Sequence, residues 1–156
     1  MLNSDYKDIL LILSERKVKF LLVGAYAMAV HGYPRSTMDI DLWVMPNSEN
    51  SVLVLQALET FGAPTGNLSP EDFQKEDLIF QIGVAPRRID IITSIDGLEF
   101  EEAFTRSQLI DIEGIPVYVL SVHDLIINKR AAGRLKDLAD VEALQNILSL
   151  KYTILK

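Results

Sequence analysis

Two aspartates, Asp39 and Asp41, stand two positions apart in residues 36–44, STMDIDLWV. The apolar neighbours predict a buried β-strand, in which residues two apart point to the same face. The two carboxyl groups would then lie about 5–7 Å apart. Burying two like charges is costly unless a cation neutralises them. The spacing therefore suits a hard divalent cation such as Mg²⁺, which takes oxygen ligands.

A third acid, Asp90, lies inside another apolar segment, RRIDIITSI at residues 87–95. Only Arg88 supplies an adjacent opposite charge. An isolated Asp-x-Asp pair also occurs at strand ends or beside surface lysines, so the third acid strengthens the metal interpretation. No Asp-x-Asp-x-Asp-Gly loop follows the pair, which excludes an EF-hand.

A glycine turn precedes the acidic pair. Residues 20–23, FLLV, predict a short strand, and Gly24 separates them from a small-residue helix at residues 25–30, AYAMAV. Free backbone N–H groups at the start of a helix attract anions. Acids for a metal beside a turn for phosphate predict a metal–triphosphate site.

The combination of Val23-Gly24-Ala25, a spacer helix, Asp39-Ile40-Asp41-Leu42 and a later Asp90 resembles the nucleotidyltransferase superfamily with the DNA polymerase β catalytic core. More narrowly, HGYPRSTMDIDLWV (31–44) and KRAAGRLKDLADVEAL (129–144) are similar to small bacterial AbiEii-type and minimal nucleotidyltransferases. The resemblance extends from about residue 20 to about residue 145.

This resemblance implies roles for the acids and the turn. Asp39 and Asp41 would hold two Mg²⁺ ions, with Mn²⁺ as a substitute, and Asp90 would bind the catalytic ion and help activate a hydroxyl. Gly24 and Ala25 would cradle the triphosphate. The family turn is Gly-Gly or Gly-Ser, so Ala25 is a departure: it keeps the backbone N–H and loses a hydroxyl.

Basic and polar residues complete the expected nucleotide site. Arg35 and Thr37 lead into the acidic strand, where Arg35 contacts either phosphate or the acids themselves. Lys129 and Arg134 are expected at phosphate. The spacings Arg134–Asp137 and Lys136–Asp140 also suit ordinary helix ion pairs. Trp43 lines a base pocket or belongs to the core.

Length and composition narrow the class of protein. The 156 residues, 49% of them hydrophobic, predict one globular domain. The chain has no cysteine, which excludes thiolate chemistry and disulfides, and its net charge of −7 argues against extensive duplex nucleic-acid binding. No signal peptide or membrane span is evident, so we expect a cytoplasmic protein.

Strand and helix patterns predict an α/β (α+β) nucleotidyltransferase fold with a mixed sheet flanked by helices. The sheet is expected at about residues 18–120 and C-terminal helices at about 121–150. Expected strands include 38–44, 77–84 and 88–95, with Ser4 capping the first helix and Ser121 with Asp124 forming a capping box.

The implied function is magnesium-dependent transfer of a nucleoside monophosphate from an NTP to a hydroxyl, with release of pyrophosphate. The acceptor stays open among a tRNA end, a protein and a small molecule such as an aminoglycoside. The alternative is a nucleotide-binding partner module, the toxin or antitoxin of a toxin–antitoxin pair, with little catalysis.

Overall fold

The computed structural model describes residues 2–33 and 38–155, with side chains described as far as residue 150. Within these residues a mixed six-stranded sheet has the order β3-β4-β2-β1-β6-β5. Its strands are β1 Phe20–Val23, β2 Ile40–Val44, β3 Ile79–Ile82, β4 Ile89–Ile92, β5 Gln108–Ile112 and β6 Ile115–Val119.

Helices cover the sheet. They are α1 Ser4–Glu15, α2 Gly24–Val30, α3 Ser48–Phe61, α4 Phe100–Arg106, α5 Val122–Ala132 and α6 Leu135–Leu155, with a 3₁₀ turn at Pro70–Gln74. The predicted mixed α/β architecture is confirmed. In the described part of the chain, no helix has both the length and the apolar character that a membrane span requires.

The central strand β2 organises the sheet. It pairs antiparallel with β1 on one side and parallel with β4 on the other. In this register Asp41 lies opposite Val23 of β1 and opposite Asp90 of β4. The pairing therefore brings together two acids that are far apart in the sequence.

Alternation along β2 separates charge from core, as expected for a strand with period two. Ile40, Leu42 and Val44 are fully buried in the hydrophobic core. Asp41 projects to the other face of the strand. The strand begins at Ile40 rather than at residue 38, so Asp39 directly precedes it.

The predicted helix starts are partly corrected. The N-cap of α1 is Asn3, whose side chain accepts from the Tyr6 backbone N–H, and not Ser4. Ser121 caps α5 by accepting from the Asp124 N–H, but the Asp124 carboxylate binds Arg106 instead of completing a capping box.

β3 and β4 pair antiparallel, and both strands are shorter than predicted. β3 and β4 span residues 79–82 and 89–92 instead of 77–84 and 88–95, because only four pairs form between them. β5 and β6 turn at Glu113 and Gly114, both with positive φ.

Asn50 joins the first turn of α3 to the two central strands. Its side-chain Oδ1 accepts from the Lys19 N–H at 2.8 Å, and its Nδ2 donates to the carbonyls of Lys19 at 2.9 Å and Met45 at 3.0 Å. Lys19 precedes β1 and Met45 follows β2, so this buried amide fixes the ends of both strands.

Replacing this amide tests its role. Asn50→Ala leaves the Lys19 and Met45 groups without their partner and should lower the free energy of unfolding by about 1–3 kcal/mol. Urea unfolding measures the change. The matched control is Asn146→Ala, an exposed asparagine of α6. Equal stability of the two variants would contradict the assignment.

Candidate active site

Three acids line one cavity of about 470 Å³ at the end of the central strands. Asp39 directly precedes β2, Asp41 is its second residue, and Asp90 is the second residue of β4. Gly24 and Ala25, which begin α2, line the same cavity. The structure thus brings together the acids and the turn that the sequence singled out.

Among the residues that the structure describes, Arg88 contacts two of these acids. Its Nε and Nη2 bind the two oxygens of Asp90 at 2.7 and 3.1 Å, a bidentate pair. Its Nη2 also lies 3.3 Å from Asp39 Oδ2, and its backbone N–H donates to Asp39 Oδ1 at 2.8 Å. One arginine therefore partly neutralises two of the three acids.

Asp41 is the acid whose protonated form the cluster favours. Burial raises its pKa to about 7, and the neighbouring Asp90 and Asp39 carboxylates add to the shift, whereas Arg88 opposes it. A hydrogen bond between the Asp41 and Asp90 carboxyl groups favours a protonated Asp41. Burial and the neighbouring acids therefore favour a proton on Asp41.

Gly24 is required by two features of the turn. Its φ of +70° lies in the left-handed region that disfavours other residues. A Cβ at this position would also collide with the Asp41 carboxylate. Only glycine therefore allows the backbone of the turn to lie directly against the acid.

Tyr6 holds the backbone next to the acids. This role was not predicted from the sequence. Its hydroxyl lies 2.9 Å from the Met38 carbonyl and 3.3 Å from the Arg88 carbonyl. These carbonyls precede Asp39 and Asp90 by one and two residues. Burial and the nearby Asp39 raise the pKa of Tyr6 to about 12, so the hydroxyl stays a donor. Its only sequence signal was its place among the inward-facing positions of α1.

The basic side of the cavity comes from α5, α6 and the turn between them. Lys129, Arg134 and Lys136 line it together with Asp140. Arg134 binds Asp137 at 2.9 Å, which confirms the predicted pair, and this contact lowers the pKa of Asp137. Asp140 pairs with Lys129 at 3.0 Å, whereas the sequence predicted Lys136 as its partner.

Asp140 is therefore a fourth acid of the site that the sequence analysis took for an ordinary helix residue. The fold around Gly133 brings α6 back against α5, and this separates the true pair by eleven residues. Two expected site residues, Arg35 and Thr37, lie outside the described residues.

Trp43 belongs to the core and to a different cavity. It is 2% exposed, donates from Nε1 to the Thr93 carbonyl and packs edge-on against Phe100. It lines a larger neighbouring groove of about 1150 Å³ rather than the cavity of the three acids. Ile95 lines both spaces, so they are adjacent.

The donor chemistry of the cavity fits a hard divalent cation. The ligands on offer are the carboxylate oxygens of Asp39, Asp41 and Asp90, which suit such a cation. The raised pKa of Asp41 shows that Arg88 offsets only part of the burial and of the negative charge around it. The geometry is not preformed: no group of three or more metal-binding side chains converges among the described residues. A metal would have to replace Arg88 at Asp39 and Asp90.

Comparison with protein families adds the identity of the domain. Residues 2–156 match the family described as "Nucleotidyltransferase of unknown function (DUF6036)". The chain belongs to this nucleotidyltransferase family. No curated protein matches the chain in sequence.

Solved structures share the fold. ANT(2")-Ia in complex with adenylyl-2"-tobramycin is 18% identical, with 96% of this chain and 90% of that chain covered and a TM-score of 0.60. The lincosamide antibiotic adenylyltransferase LnuA, lincomycin-bound, is 14% identical, with 94% and 98% covered and a TM-score of 0.57.

A third match is an antigenic nucleotidyltransferase-like protein from Paracoccidioides brasiliensis, 12% identical, with 94% and 75% covered and a TM-score of 0.55. At these identities the structural likeness establishes the nucleotidyltransferase fold alone. The narrower AbiEii-type subgroup stays a prediction.

The collision at Gly24 gives a test with a matched control. Gly133 has a similar φ of +67°, but a Cβ there meets only ordinary contacts. Both alanine variants carry the cost of left-handed backbone, about 1–2 kcal/mol. Gly24→Ala should lose about 1–3 kcal/mol more in urea unfolding because it also displaces Asp41. Equal losses would show that the turn does not press on the acid.

The titration of Asp41 gives a second test. The folded protein keeps this proton up to about pH 7, whereas the unfolded chain releases it near the ordinary value of 3.8. Between these values the folded state binds more protons, so the free energy of unfolding falls as pH rises and levels off above pH 7.

The difference between wild type and Asp41→Asn isolates this contribution. Wild type should lose stability relative to the variant from pH 4 to pH 7, on the order of 2–4 kcal/mol in total. Asp8→Asn, on the exposed face of α1, should follow wild type. Parallel curves for wild type and Asp41→Asn would refute the raised pKa.

Proposed function

We propose that this protein transfers a nucleoside monophosphate from an NTP to a hydroxyl of an acceptor and releases pyrophosphate. One observation carries the proposal: the β2–β4 register sets Asp41 opposite Asp90, next to Asp39 and the Gly24 turn. Membership of the nucleotidyltransferase family supports the same reaction class.

The three acids have different proposed roles at the phosphorus atom that is attacked. Asp39 and Asp41 would hold Mg²⁺, or Mn²⁺, and Asp90 would share the catalytic ion and accept the proton of the attacking hydroxyl. When bound, two such ions stabilise the attacking and leaving oxygens of an in-line displacement. The proton that Asp41 keeps near neutral pH must leave before it can act as a ligand.

Phosphate binding would use the Gly24 turn beside the acids and the basic residues of the cavity. The backbone N–H groups at Gly24 and Ala25 would bind the triphosphate, and Lys129 and Arg134 would supply positive charge. Ala25 offers no hydroxyl, so the backbone and the cations must replace that contact. Arg35 and Thr37 stay proposed nucleotide contacts.

The larger groove beside the cavity suits the acceptor. Seven of its lining residues carry carboxylates: Glu76, Asp77, Asp96, Glu99, Glu101, Glu102 and Asp124. Asp124 is paired with Arg106 at 2.9 Å, which leaves the groove strongly negative. Such a surface repels the phosphates of an RNA end and attracts a positively charged molecule. A cationic small molecule with a hydroxyl is therefore the favoured acceptor.

A second candidate is the partner module of a toxin–antitoxin pair, with little catalysis. The contacts of Arg88 with Asp39 and Asp90 favour it, because they neutralise part of the site without any metal. The two candidates differ in one outcome: the module binds nucleotide and transfers nothing.

The central experiment separates binding from chemistry with two isosteric variants. Asp90→Asn should keep NTP binding close to wild type, because it removes a like charge from the triphosphate site. Its transfer should fall about 10²–10⁴-fold with the loss of the general base. Asp39→Asn should lose both binding and transfer, because a metal ligand is gone.

Calorimetry measures NTP binding with magnesium, and α-labelled NTP measures transfer. Asp8→Asn is the surface control and should match wild type in both. Full transfer by Asp90→Asn would make Asp90 a structural acid and end the three-carboxylate mechanism. Binding without transfer in wild type, across all acceptors, would support the partner module.

The acidic groove yields a prediction about the acceptor. Glu101→Gln and Glu102→Gln together remove two exposed charges of the groove. The double variant should raise KM for an aminoglycoside acceptor about three- to tenfold, as expected for two partly screened ion pairs, and leave KM for the NTP unchanged. Glu15→Gln with Glu59→Gln, on other exposed helix positions, is the control. Preferential labelling of tRNA would contradict this acceptor.

A further inference from the structure

Lys129 lies on α5 and forms ion pairs with two carboxylates of α6. Its side chain is only 12% exposed, and its Nζ lies 3.0 Å from Asp140 Oδ2 and 3.5 Å from Asp137 Oδ1. Both carboxylates come from α6. The ammonium is thus held at two points before any ligand arrives.

The two carboxylates have different duties. Asp137 is fully buried and also binds the Arg134 backbone N–H at 3.1 Å and Nε at 2.9 Å, so it organises the start of α6. Asp140 lines the cavity together with Lys129, and its contact with Lys129 is the shorter of the two.

We propose that Asp140 is a positioning residue, which holds the Lys129 ammonium at the cavity wall for the phosphates of the nucleotide. The Lys129 Nζ donates a hydrogen bond to Asp137 Oδ1 at 3.5 Å and forms an ion pair with Asp140 at 3.0 Å. An ammonium has three N–H donors, so it can also donate to a phosphate oxygen. This inference rests on the proposed function for the identity of the ligand.

The physical basis is side-chain entropy. A free lysine loses much rotamer freedom when it binds a ligand, whereas a lysine already held by two carboxylates has lost it during folding. Asp140 also opposes phosphate by its own negative charge. Its net effect must therefore be measured with variants that separate position from charge.

Two substitutions with the same branching and the same number of side-chain heavy atoms make that separation. Asp140→Asn removes the charge and keeps an oxygen that accepts from Lys129. Asp140→Leu removes the charge and the acceptor, yet fills the same space. A difference between the two variants therefore reports on holding Lys129 and not on charge or on an opened cavity.

The first readout needs no nucleotide. Amine acylation followed by peptide mass analysis gives the reaction rate of Lys129, with exposed Lys136 as the internal reference. Asp140→Leu should raise the relative rate at Lys129 at least threefold over Asp140→Asn. Equal rates in the two variants would overturn the holding of Lys129 by Asp140.

The second readout is the binding of inorganic tripolyphosphate, which needs neither a base nor an acceptor. Asp140→Leu should bind about two- to tenfold more weakly than Asp140→Asn, the range expected for immobilising one long side chain. In a Lys129→Met background the two variants should bind equally. The proposal would be overturned if the difference in binding persists in the Lys129→Met background. It would also be overturned if the two variants bind equally in the native background.

These outcomes are distinct from failure of the proposed function. If nucleotide transfer is absent while the Lys129-dependent difference remains, the reaction is wrong and the positioning stands. If transfer is present and the variants bind alike, Asp140 has only a structural role.

Discussion

The structure depends on one electrostatic constraint, the crowding of three carboxylates where β2 and β4 pair in parallel. Asp41 faces Asp90 across the pairing, and Asp39 enters the same space. Much of the surrounding structure serves to make this crowding tolerable. Arg88 neutralises two of the acids, Gly24 allows the backbone to pass close to the third, and the buried apolar face of β2 secures the strand that carries them. Despite these contacts, burial and the neighbouring carboxylates keep the pKa of Asp41 raised.

Charge is divided between the two walls of the site in a way that suits a metal–nucleotide complex. The sheet supplies carboxylates, and α5, α6 and the turn between them supply Lys129, Arg134 and Lys136. In the described structure each set is partly neutralised within the protein, the acids by Arg88 and the basic residues by Asp137 and Asp140. When a metal and a triphosphate bind together, contacts with these ligands would replace the ion pairs within the protein. These ion pairs within the protein explain how so many charged side chains fit into one site.

Local patterns in the sequence predicted the acids of the site, whereas contacts between residues far apart in the chain were not predicted. The period of two in residues 38–44 and the acid in a second apolar segment were enough to predict a shared face and a common site. The partner of Asp140 was missed because helix spacing favours Lys136, whereas the turn at Gly133 brings Lys129 nearer. Tyr6 was missed because its hydroxyl acts through backbone carbonyls, which leave no trace in side-chain types. The strand ends shifted by one to three residues because they are set by the ladder of β3, β4 and β2 rather than by local propensity.

The most direct measurement is a crystal structure with Mn²⁺ and a non-hydrolysable NTP, with the metal located by anomalous scattering. The account predicts manganese bound directly to Asp39, Asp41 and Asp90, the triphosphate against the Gly24 turn and Lys129, and Arg88 displaced from Asp90. Nucleotide bound with no metal at the acids, and with Arg88 still joined to Asp39 and Asp90, would contradict it.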